Sequence, residues 1–258
     1  MAGRSVNPED YQDVPRPIAA MAKDFPNGSQ IPRHRHRRAQ LVFAVHGVMV
    51  VWTAAGTWVV PPHRAVWMPP ETDHSIRTWG DLAMRTLYIR SDAAASLPAA
   101  CCVIGVSPLL RELILRAVEL PPLYEESGPD GRVMSLILDE IRAVPVLPLH
   151  LPWPEDARLR RLCAAIQDDP ASERTLDDWG RMVGASSRTL ARLFRKETGM
   201  SFGAWRQQVR LVDALGRLAT GQAVTHVALD LGYQSPSAFT SMFRRALGRA
   251  PTRYFMES

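Results

Sequence analysis

The spacing of hydrophobic residues changes along this chain of 258 residues, and each change predicts a different kind of secondary structure. Residues 1–30 are polar and contain prolines without a clear period, which predicts an irregular arm. From 31 to 89, short apolar runs alternate with turn residues, a pattern typical of β-strands. From 92 to 145, apolar residues recur every three or four positions, which predicts two amphipathic helices, 108–120 and 131–144.

The strand-like region is divided into short segments rich in Val, Ile and aromatic residues. We expect strands at 41–45, 48–52, 57–60 and 84–89. Ala54-Ala55-Gly56 is predicted to be the hairpin turn between two of them. Several short strands at this spacing favour a small β-barrel or sandwich.

Near the C-terminus, two short helical patterns meet at a tight turn. The first covers 224–231, and Gly232 ends it because glycine tolerates the left-handed backbone that follows a helix. Ser235-Pro236 then starts a second helix, 237–247, since proline suits the first helical turn. One helix that supports another in this way predicts a helix-turn-helix, whose second helix enters the major groove of DNA.

The same arrangement occurs once more, about 48 residues upstream. Corresponding residues of the two copies are Gly180 and Ala228, Gly184 and Gly232, Leu190 and Phe239, Phe194 and Phe243. One extra residue lies in the turn of the second copy. A repeated unit makes the DNA-binding interpretation much stronger than a single helical hairpin does.

A third helix, about 202–218, is predicted between the two copies, and its apolar face carries Trp205, Val209, Val212 and Leu215. Such a helix spans about 25–30 Å, which is close to the ~34 Å of one DNA turn. We therefore expect both second helices to enter successive grooves on one side of a duplex.

The distribution of charge agrees with a DNA partner. The net charge is +5, and residues 156–258 carry 16 Lys and Arg against 10 Asp and Glu. The basic excess therefore lies in the half with the two repeated units. Residues 145–154 hold four prolines and are interpreted as a linker.

Composition excludes several other classes of protein. The three cysteines form no CxxC spacing and no disulfide framework. The N-terminus lacks the apolar core of a signal peptide. Residues 39–63 carry no formal charge, but Gly47 and Gly56 divide them into pieces too short to cross a membrane. We expect a cytoplasmic protein with no membrane partner.

Basic and hydroxyl side chains follow the exposed stripes of the two second helices. Arg188, Arg192 and Arg195 recur at helical spacing opposite the apolar residues of the first unit, although a solvated face would look the same. The predicted DNA-binding residues are Ser187, Arg188, Arg192, Arg195, Lys196, Ser237, Thr240, Ser241, Arg244 and Arg245. Because Arg binds guanine in bidentate fashion, the first unit is expected to read bases, and the short hydroxyls of the second are expected to position it.

The C-terminal part resembles the DNA-binding domain of AraC/XylS-type transcription regulators, over about 156–255. The residues that carry the resemblance are Arg188-Thr189-Leu190, Arg192-Leu193-Phe194, Gly199, Arg210-Leu211, Ala214, Leu218, Ala228, Gly232-Tyr233, Phe239, Phe243, Gly248, Pro251 and Tyr254. The resemblance implies two helix-turn-helix units joined by a long helix, with Arg188 and Arg192 at base-reading positions. Gly180 departs from the family, which usually has Ala there, and we expect a looser supporting helix as a result.

Three histidines are the clearest chemical signal in the N-terminal half. His34 and His36 are two residues apart, so on a strand they face the same side, and His74 comes from another strand. Three neutral imidazoles are a common ligand set for divalent transition metals. The spacing resembles the metal motifs of the cupin fold, but Gln40 stands at the Glu position and Glu71 at a Gly position, which weakens the expected metal site.

Three interpretations of this cluster stay open: one divalent transition metal, a metal-free effector pocket, or histidines with a purely structural role. The neighbouring arginines, Arg35, Arg37 and Arg38, could alternatively form a rim that binds an anionic effector. A metal-dependent cupin oxygenase or isomerase fused to a DNA-binding tail is the alternative function. A barrel that is inert, on a protein that binds DNA constitutively, is a third.

Together these patterns predict an α+β multidomain protein: an N-terminal cupin-like β-barrel with added helices, and a C-terminal all-α double helix-turn-helix. The expected domains are an effector-sensing barrel at 1–95, a helical dimerisation or linker segment at 96–148 and a DNA-binding domain at 149–258. We expect a non-enzymatic, sequence-specific transcription regulator with no catalytic residues. Its expected partners are double-stranded DNA, a small-molecule effector, a second copy of the chain and, for an activator, RNA polymerase.

Overall fold

The computed structural model describes residues 5–95, 97–141 and 149–255, which form two compact units. The first unit contains the described residues up to 141, except 54–57, which group with the second unit and its residues 149–255. The helices that follow residue 95 thus belong to the first compact unit, and the finer division at residue 95 stays a prediction.

Within the described residues, the first unit contains nine strands in two sheets. They are β1 (Ile18–Phe25), β2 (Gln30–His34), β3 (Ala39–Ala44), β4 (Val48–Thr53), β5 (Gly56–Val60), β6 (Arg64–Met68), β7 (His74–Trp79), β8 (Leu82–Ile89) and β9 (Cys102–Gly105). One sheet has the order β1-β8-β3-β6-β9, and the other runs β5-β4-β7-β2 within this unit. The predicted β architecture is confirmed.

Strand β1 corrects the prediction of an irregular arm over the first thirty residues. Its backbone pairs with β8 over its whole length, from Ile18 opposite Ile89 to Phe25 opposite Leu82. Three of its eight residues are alanine, which has a low strand propensity and hides the alternation in the sequence. Pairing with a central strand therefore decides the conformation here.

The two predicted helices are α1 (Pro108–Ala117) and α2 (Pro129–Glu140), so the first ends three residues earlier than expected. Both cover the outer face of the β1-containing sheet. Leu110, Ile114 and Ile137 are fully buried there in one core with Phe43 and Leu87. The predicted end of the second helix, 142–144, lies outside the described residues.

The second unit contains one short strand and, within the described residues, seven helices. These are β10 (His150–Pro152), α3 (Ala157–Asp168), α4 (Leu176–Val183), α5 (Ser187–Thr198), α6 (Phe202–Ala219), α7 (Val224–Asp230), α8 (Pro236–Leu247) and α9 (Pro251–Tyr254). Trp179, Phe194 and Trp205 fill the core around α3 to α6. Of the helices in the described part of the chain, none combines the length and hydropathy needed to cross a bilayer.

Strand β10 corrects part of the predicted proline-rich linker. Leu151 is buried in the core of the second unit, and the carbonyl of Pro152 accepts a hydrogen bond from the Trp205 indole over 3.1 Å. Proline is tolerated at the ends and edges of strands, so a run of prolines does not exclude an ordered segment. The first part of the predicted linker, 145–148, lies outside the described residues.

The two repeated units match in their backbone hydrogen bonds as well as in sequence. The N–H of Ala185 donates to the carbonyl of Gly180 over 3.0 Å, and the N–H of Tyr233 donates to Ala228 in the same way. Ser186 and Ser235 each cap the second helix of their unit with a side-chain hydroxyl. The pairs α4–α5 and α7–α8 are therefore two copies of one helix-turn-helix.

Gly180 lies where the backbone leaves no room for a side chain, while the expected loosening of its helix stays a prediction. A Cβ atom at this position would lie 2.4 Å from the carbonyl oxygen of Ala185. The first turn is one residue shorter than the second, and it brings that carbonyl against the helix. Glycine is needed here because the backbone approaches so closely.

The long helix α6 joins the two helix-turn-helix units. It has 18 residues, which corresponds to a length of about 27 Å. Its buried face contains Trp205, Val209 and Leu215, as predicted. Leu211 is buried, whereas the predicted core residue Val212 is only half-buried. The buried face of α6 is thus wider than the apolar face predicted from the sequence.

Candidate functional sites: two reading helices and a histidine cluster

Helix α5 presents a basic surface to solvent. Arg188, Arg192, Arg195 and Lys196 are all exposed, and Ser187 is half-buried. The opposite face of the same helix is fully buried through Leu190 and Phe194. Its N-terminus is capped by Ser186, and Gly199 ends it with a left-handed φ of 70°. The cap and the buried face hold the basic face in a fixed direction.

Helix α8 offers the matching surface of the second unit. Ser237, Ser241, Arg244 and Arg245 are exposed, and Thr240 is half-buried. Phe239 and Phe243 anchor the other side of the helix in the core. The surface of α8 therefore carries short hydroxyl side chains beside two guanidinium groups, whereas that of α5 is dominated by arginine.

The basic residues of these two surfaces differ from other arginines of the same unit. Arg158, Arg181 and Arg217 each form an ion pair with an aspartate, at separations of 3.0 Å or less. Among the described residues, the six basic side chains of the α5 and α8 surfaces form no such pair. Guanidinium groups without an acidic neighbour remain available to bind phosphate or guanine.

The three histidines predicted to meet do so in the first unit. His34 and His74 are directly opposite each other on β2 and β7, and His36 lies just beyond β2. The ring centroids are 4.2 Å apart for His34 and His74, 4.8 Å for His34 and His36, and 5.5 Å for His36 and His74. One ligand nitrogen from each ring lies within 4.8 Å of the other two.

Backbone carbonyls fix the orientation of two of these rings. The Nδ1 atoms of His34 and His74 lie 2.8 Å and 2.9 Å from the carbonyl oxygens of Pro32 and Thr72. When Nδ1 carries the proton that this contact requires, the Nε2 lone pair is free to bind a metal. Both nitrogens of His36, and Nε2 of His74, are buried and have no hydrogen-bond partner in the described part of the chain.

The buried rings are neutral at physiological pH. Burial, followed by the charges of His34 and His74, lowers the pKa of His36 to about 4. Burial also lowers the pKa of His74 to about 4, against a smaller opposite effect of its hydrogen bond to Thr72. Neutral imidazole is the form that binds metal ions.

Further buried polar groups lie on strands β3 and β8, and the ring of one of them contacts His36. Gln40 is opposite Tyr88 on β3 and β8, and the Tyr88 ring is 5.1 Å from the ring of His36. Gln40 Oε1, the Tyr88 hydroxyl and Thr86 Oγ1 are buried and have no partner with normal geometry. Burial raises the pKa of Tyr88, an effect partly offset by the nearby Gln40 side chain, so the phenol stays protonated. Buried polar atoms of this kind usually face a bound ligand, ion or water.

Tyr88 is a site residue that sequence reasoning missed. It belongs to an apolar strand, LAMRTLYI, and nothing in its local sequence separates it from a core aromatic residue. The register of β3 and β8 places Tyr88 opposite Gln40, and its ring lies 5.1 Å from that of His36.

The residues fit a single divalent transition metal. Three imidazole nitrogens around a tetrahedral zinc lie about 3.4 Å from one another. The observed separations of up to 4.8 Å would have to shorten by up to about 1.4 Å, which rotation of the rings can supply. Gln40, whose side chain lies near Tyr88, offers an additional neutral oxygen on the neighbouring strand.

The arginines around the histidines already have partners, which disfavours a rim for an anionic effector. Arg35 pairs with Glu71 at 3.2 Å, and Arg37 pairs with Asp13 at 2.7 Å. Arg38 is buried, and its guanidinium donates to the carbonyls of Gln12 at 2.9 Å and Arg16 at 3.0 Å. Arg38 therefore holds the segment from Gln12 to Arg16 in place by hydrogen bonds.

The backbone explains why a glycine is expected at the position that Glu71 occupies. Its φ is 59°, in the left-handed region that glycine adopts most easily. Its N–H donates to the His36 carbonyl over 2.8 Å, while its exposed carboxylate pairs with Arg35. The side chain thus points to an exposed arginine, and no carboxylate is found among the described residues that make up the histidine cluster.

Comparison with known proteins covers both units. Residues 18–202 match the family described as the AraC-like ligand binding domain, and 179–257 match a helix-turn-helix domain. The HTH-type transcriptional regulator NimR of Escherichia coli K12 is 37% identical over 223 residues, which are 86% of this chain and 81% of that protein. The arabinose operon regulatory protein of Salmonella typhimurium LT2 is 26% identical over 76% of this chain and 65% of that protein.

Among solved structures, ToxT of Vibrio cholerae O395 aligns over 94% of this chain and 99% of that chain, with 10% identity and a TM-score of 0.40. The family assignment rests on the sequence matches, which extend through both units. The two-sheet unit is the ligand-binding domain, and the repeated helical unit is the DNA-binding domain. The chain belongs to the AraC family of transcription regulators.

Proposed function

We propose that α5 and α8 enter two successive major grooves on one side of a DNA duplex. The observation that carries this proposal is the exposed basic face of α5, whose arginines lack acidic partners among the described residues. The ~27 Å length of α6 supports the spacing, because successive grooves repeat every ~34 Å and DNA can bend. Each unit then covers one half of the binding site.

The two helices have different roles in this proposal. Arg188 and Arg192 read base edges from α5, since an Arg–guanine pair discriminates between bases by about 1–3 kcal/mol. Arg195 and Lys196 lie nearer the C-terminal end of α5 and contact phosphates. On α8, the short hydroxyls of Ser237, Thr240 and Ser241 reach few base edges, and Arg244 and Arg245 bind the backbone, so this unit mainly positions the protein.

The proposed effector site of the barrel is built on the histidine cluster. We propose that His34, His36 and His74 hold one divalent transition metal, with Gln40 as a neutral neighbour. The unpartnered, buried nitrogens of His36 and His74 support this assignment. When bound, the metal would supply a Lewis-acidic centre on which an effector can be anchored.

The barrel is proposed to sense a ligand rather than to catalyse a reaction. A general acid or base would have to reach the cluster, and the two nearby carboxylates in the sequence, Glu71 and Asp73, pair with Arg35 and Arg33. Turnover of a candidate substrate that is abolished in His36→Ala would instead support the cupin enzyme. Equal DNA affinity with and without metal and effector would support an inert barrel.

The remaining partners are proposals as well. Leu109 and Leu136 are large apolar side chains exposed on α1 and α2, which supports a homodimer formed through this helical pair. A molar mass of one chain that is independent of concentration, measured by light scattering, would contradict the homodimer. RNA polymerase is the proposed partner if the protein activates transcription, and the cytoplasm is its proposed location because its DNA target lies there.

A duplex recovered by selection from a random-sequence pool provides the test of DNA reading. The wild-type protein should bind it at least a hundred-fold more tightly than a scrambled duplex at the same salt concentration. Arg77→Ala is the matched control for arginine substitutions on α5, because Arg77 is exposed on β7 of the other unit and lies outside the helical pair proposed for the homodimer. Equal affinity for the two duplexes would contradict sequence-specific binding.

A further inference from the structure

Helix α6 contributes a stripe of polar residues to a concave surface beside the second reading helix. Gly203, Arg206, Gln207 and Arg210 recur at helical spacing and line a cavity of about 430 Å³. The facing wall is one side of α8, and it includes Ser241 and Arg245. We call this the α6–α8 pocket.

Three guanidinium groups line the α6–α8 pocket, and none of its lining residues is acidic. Arg206 donates to the backbone carbonyl of Arg174 at 3.3 Å and stacks over the Phe202 ring. Arg210 donates to the carbonyl of Pro170 at 2.8 Å and lies over the Tyr233 ring. Those carbonyls and rings orient the two cations without neutralising them.

The positive charges of Arg206 and Arg210 therefore repel each other in the α6–α8 pocket. Burial, and next the charge of Arg206, lower the pKa of Arg210, while Tyr233, Glu173 and Asp169 act in the opposite direction. A bound anion would remove the repulsion and would accept charge-assisted hydrogen bonds from the guanidinium groups. The phosphodiester of a nucleic-acid backbone has two charged, non-bridging oxygens for this purpose.

The position of the pocket identifies the source of the phosphate. Ser241 and Arg245 belong both to the pocket and to the exposed surface of α8 that we place against DNA. Between two successive major grooves, a duplex presents its minor groove bordered by two sugar-phosphate backbones. The helix that spaces the two readers must face this part of the duplex.

We propose that the α6–α8 pocket binds a backbone phosphodiester of the DNA between the two half-sites, with Arg206, Arg210 and Arg245 as its donors. This inference rests on the proposed reading of DNA by α5 and α8 and assigns α6 a role beyond that of a spacer. One fixed phosphate on the spacer would set the phase of the two reading helices relative to the duplex, as backbone contacts generally do.

Gly203 permits a test that leaves the three arginines in place. A Cβ at Gly203 would have no heavy atom within 4 Å, so a longer side chain fits without a clash. Gly203→Glu puts a carboxylate at the rim of the pocket, and Gly203→Gln fills the same space without charge. Glutamate in the first turn of a helix is compatible with folding, because its negative charge interacts favourably with the positive end of the helix dipole.

The experiment is a titration of the selected duplex and of a scrambled duplex over a range of salt concentrations. Relative to Gly203→Gln, Gly203→Glu should bind both duplexes about ten-fold more weakly. Its logarithmic salt dependence should also be smaller by roughly 0.9, the value for one phosphate contact. Equal affinities and equal salt slopes for the two variants would overturn the proposal.

Substitution of single phosphates by neutral methylphosphonates locates the contact without any change in the protein. With Gly203→Gln, affinity should fall several-fold at one or two phosphates between the half-sites, and with Gly203→Glu this loss should shrink. The same profile for both variants would overturn the assignment. If the wild-type protein did not distinguish selected from scrambled DNA, that result would contradict base reading by α5 and α8. The proposed backbone contact would still be measurable on either duplex.

Free phosphate is the other source of the same chemistry. Inorganic phosphate, added at constant ionic strength, could raise the melting temperature of Gly203→Gln but not of Gly203→Glu. That result, with equal DNA salt slopes for the two variants, would assign the pocket to a free anion and would overturn the DNA contact.

Discussion

His34 and His74 are directly opposite each other on β2 and β7, and their ring centroids lie 4.2 Å apart. The register of two strands thus brings together residues that are 40 positions apart in the sequence. The two rings and that of His36 each bring a nitrogen to one small volume, and among the described residues those of His36 and Nε2 of His74 are buried without a partner.

Metal binding is the first consequence to test. Zinc or cobalt at a hundred times its dissociation constant stabilises the folded state by about 2.7 kcal/mol. We expect the melting temperature of the first unit to rise by about 5–10 °C in calorimetry. His36→Ala should abolish the rise, whereas His226→Ala, at an exposed position on α7, should retain it. An equal rise in both variants would assign the effect to another site.

The stability of the metal-free protein should depend on pH through the same rings. His36 and His74 have a folded-state pKa of about 4, lowered from 6.5, so the unfolded chain takes up protons first as the pH falls. The free energy of unfolding should then decrease by about 1–2 kcal/mol per pH unit between pH 6.5 and 4, and this contribution should level off outside that window. Urea unfolding with a chelator present measures it. In His36→Gln/His74→Gln the slope should be smaller, and an unchanged slope would contradict the burial of neutral rings.

Removal of an arginine from α5 and removal of one from α8 should change DNA binding in different ways. Arg192→Ala should relax specificity at one or two base pairs, with a loss of about 1–3 kcal/mol confined to the preferred base. Arg245→Ala should weaken binding evenly across sequences and reduce the salt slope by about 1. Titrations over single-base variants of the selected duplex separate the two outcomes. A uniform loss in Arg192→Ala would contradict its role in base reading.

Gly180 should resist replacement by alanine. The new Cβ would lie 2.4 Å from the Ala185 carbonyl, so the first helix-turn-helix should lose about 1–3 kcal/mol of stability. Gly203→Ala is the matched control, because its Cβ meets nothing within 4 Å and alanine is the better helix former. Thermal unfolding should show a small gain of up to about 1 kcal/mol for the control. Equal effects of the two substitutions would contradict the tight first turn.

The sequence predicts the elements whose pattern is local and repeated. The glycine and serine positions of the two helix-turn-helix units predict their ends, since Ser186 and Ser235 cap the helices and Gly184 ends α4 with a left-handed backbone. The histidine cluster is predictable for a related reason, because the alternation of side chains along a strand places His34 and His36 on one side.

Features that depend on distant pairing escape the sequence. Strand β1 is recognisable only from its pairing with β8, and Tyr88 enters the site only through the register with Gln40. The close contact between Gly180 and Ala185 arises from a turn that is one residue shorter, and residue types alone do not show its effect. In each case the deciding interaction joins backbone segments whose geometry is set by the folded structure.

Selection of DNA from a random-sequence pool, followed by sequencing, tests the central claim most directly. Two reading helices on one spacer predict a strongly enriched sequence block read by α5 and a weaker block at α8, with centres about 10–11 base pairs apart. Arg188→Ala/Arg192→Ala should erase the block read by α5 and preserve the other. A pool in which no sequence is enriched at physiological salt, or in which the double variant leaves both blocks intact, would contradict the account.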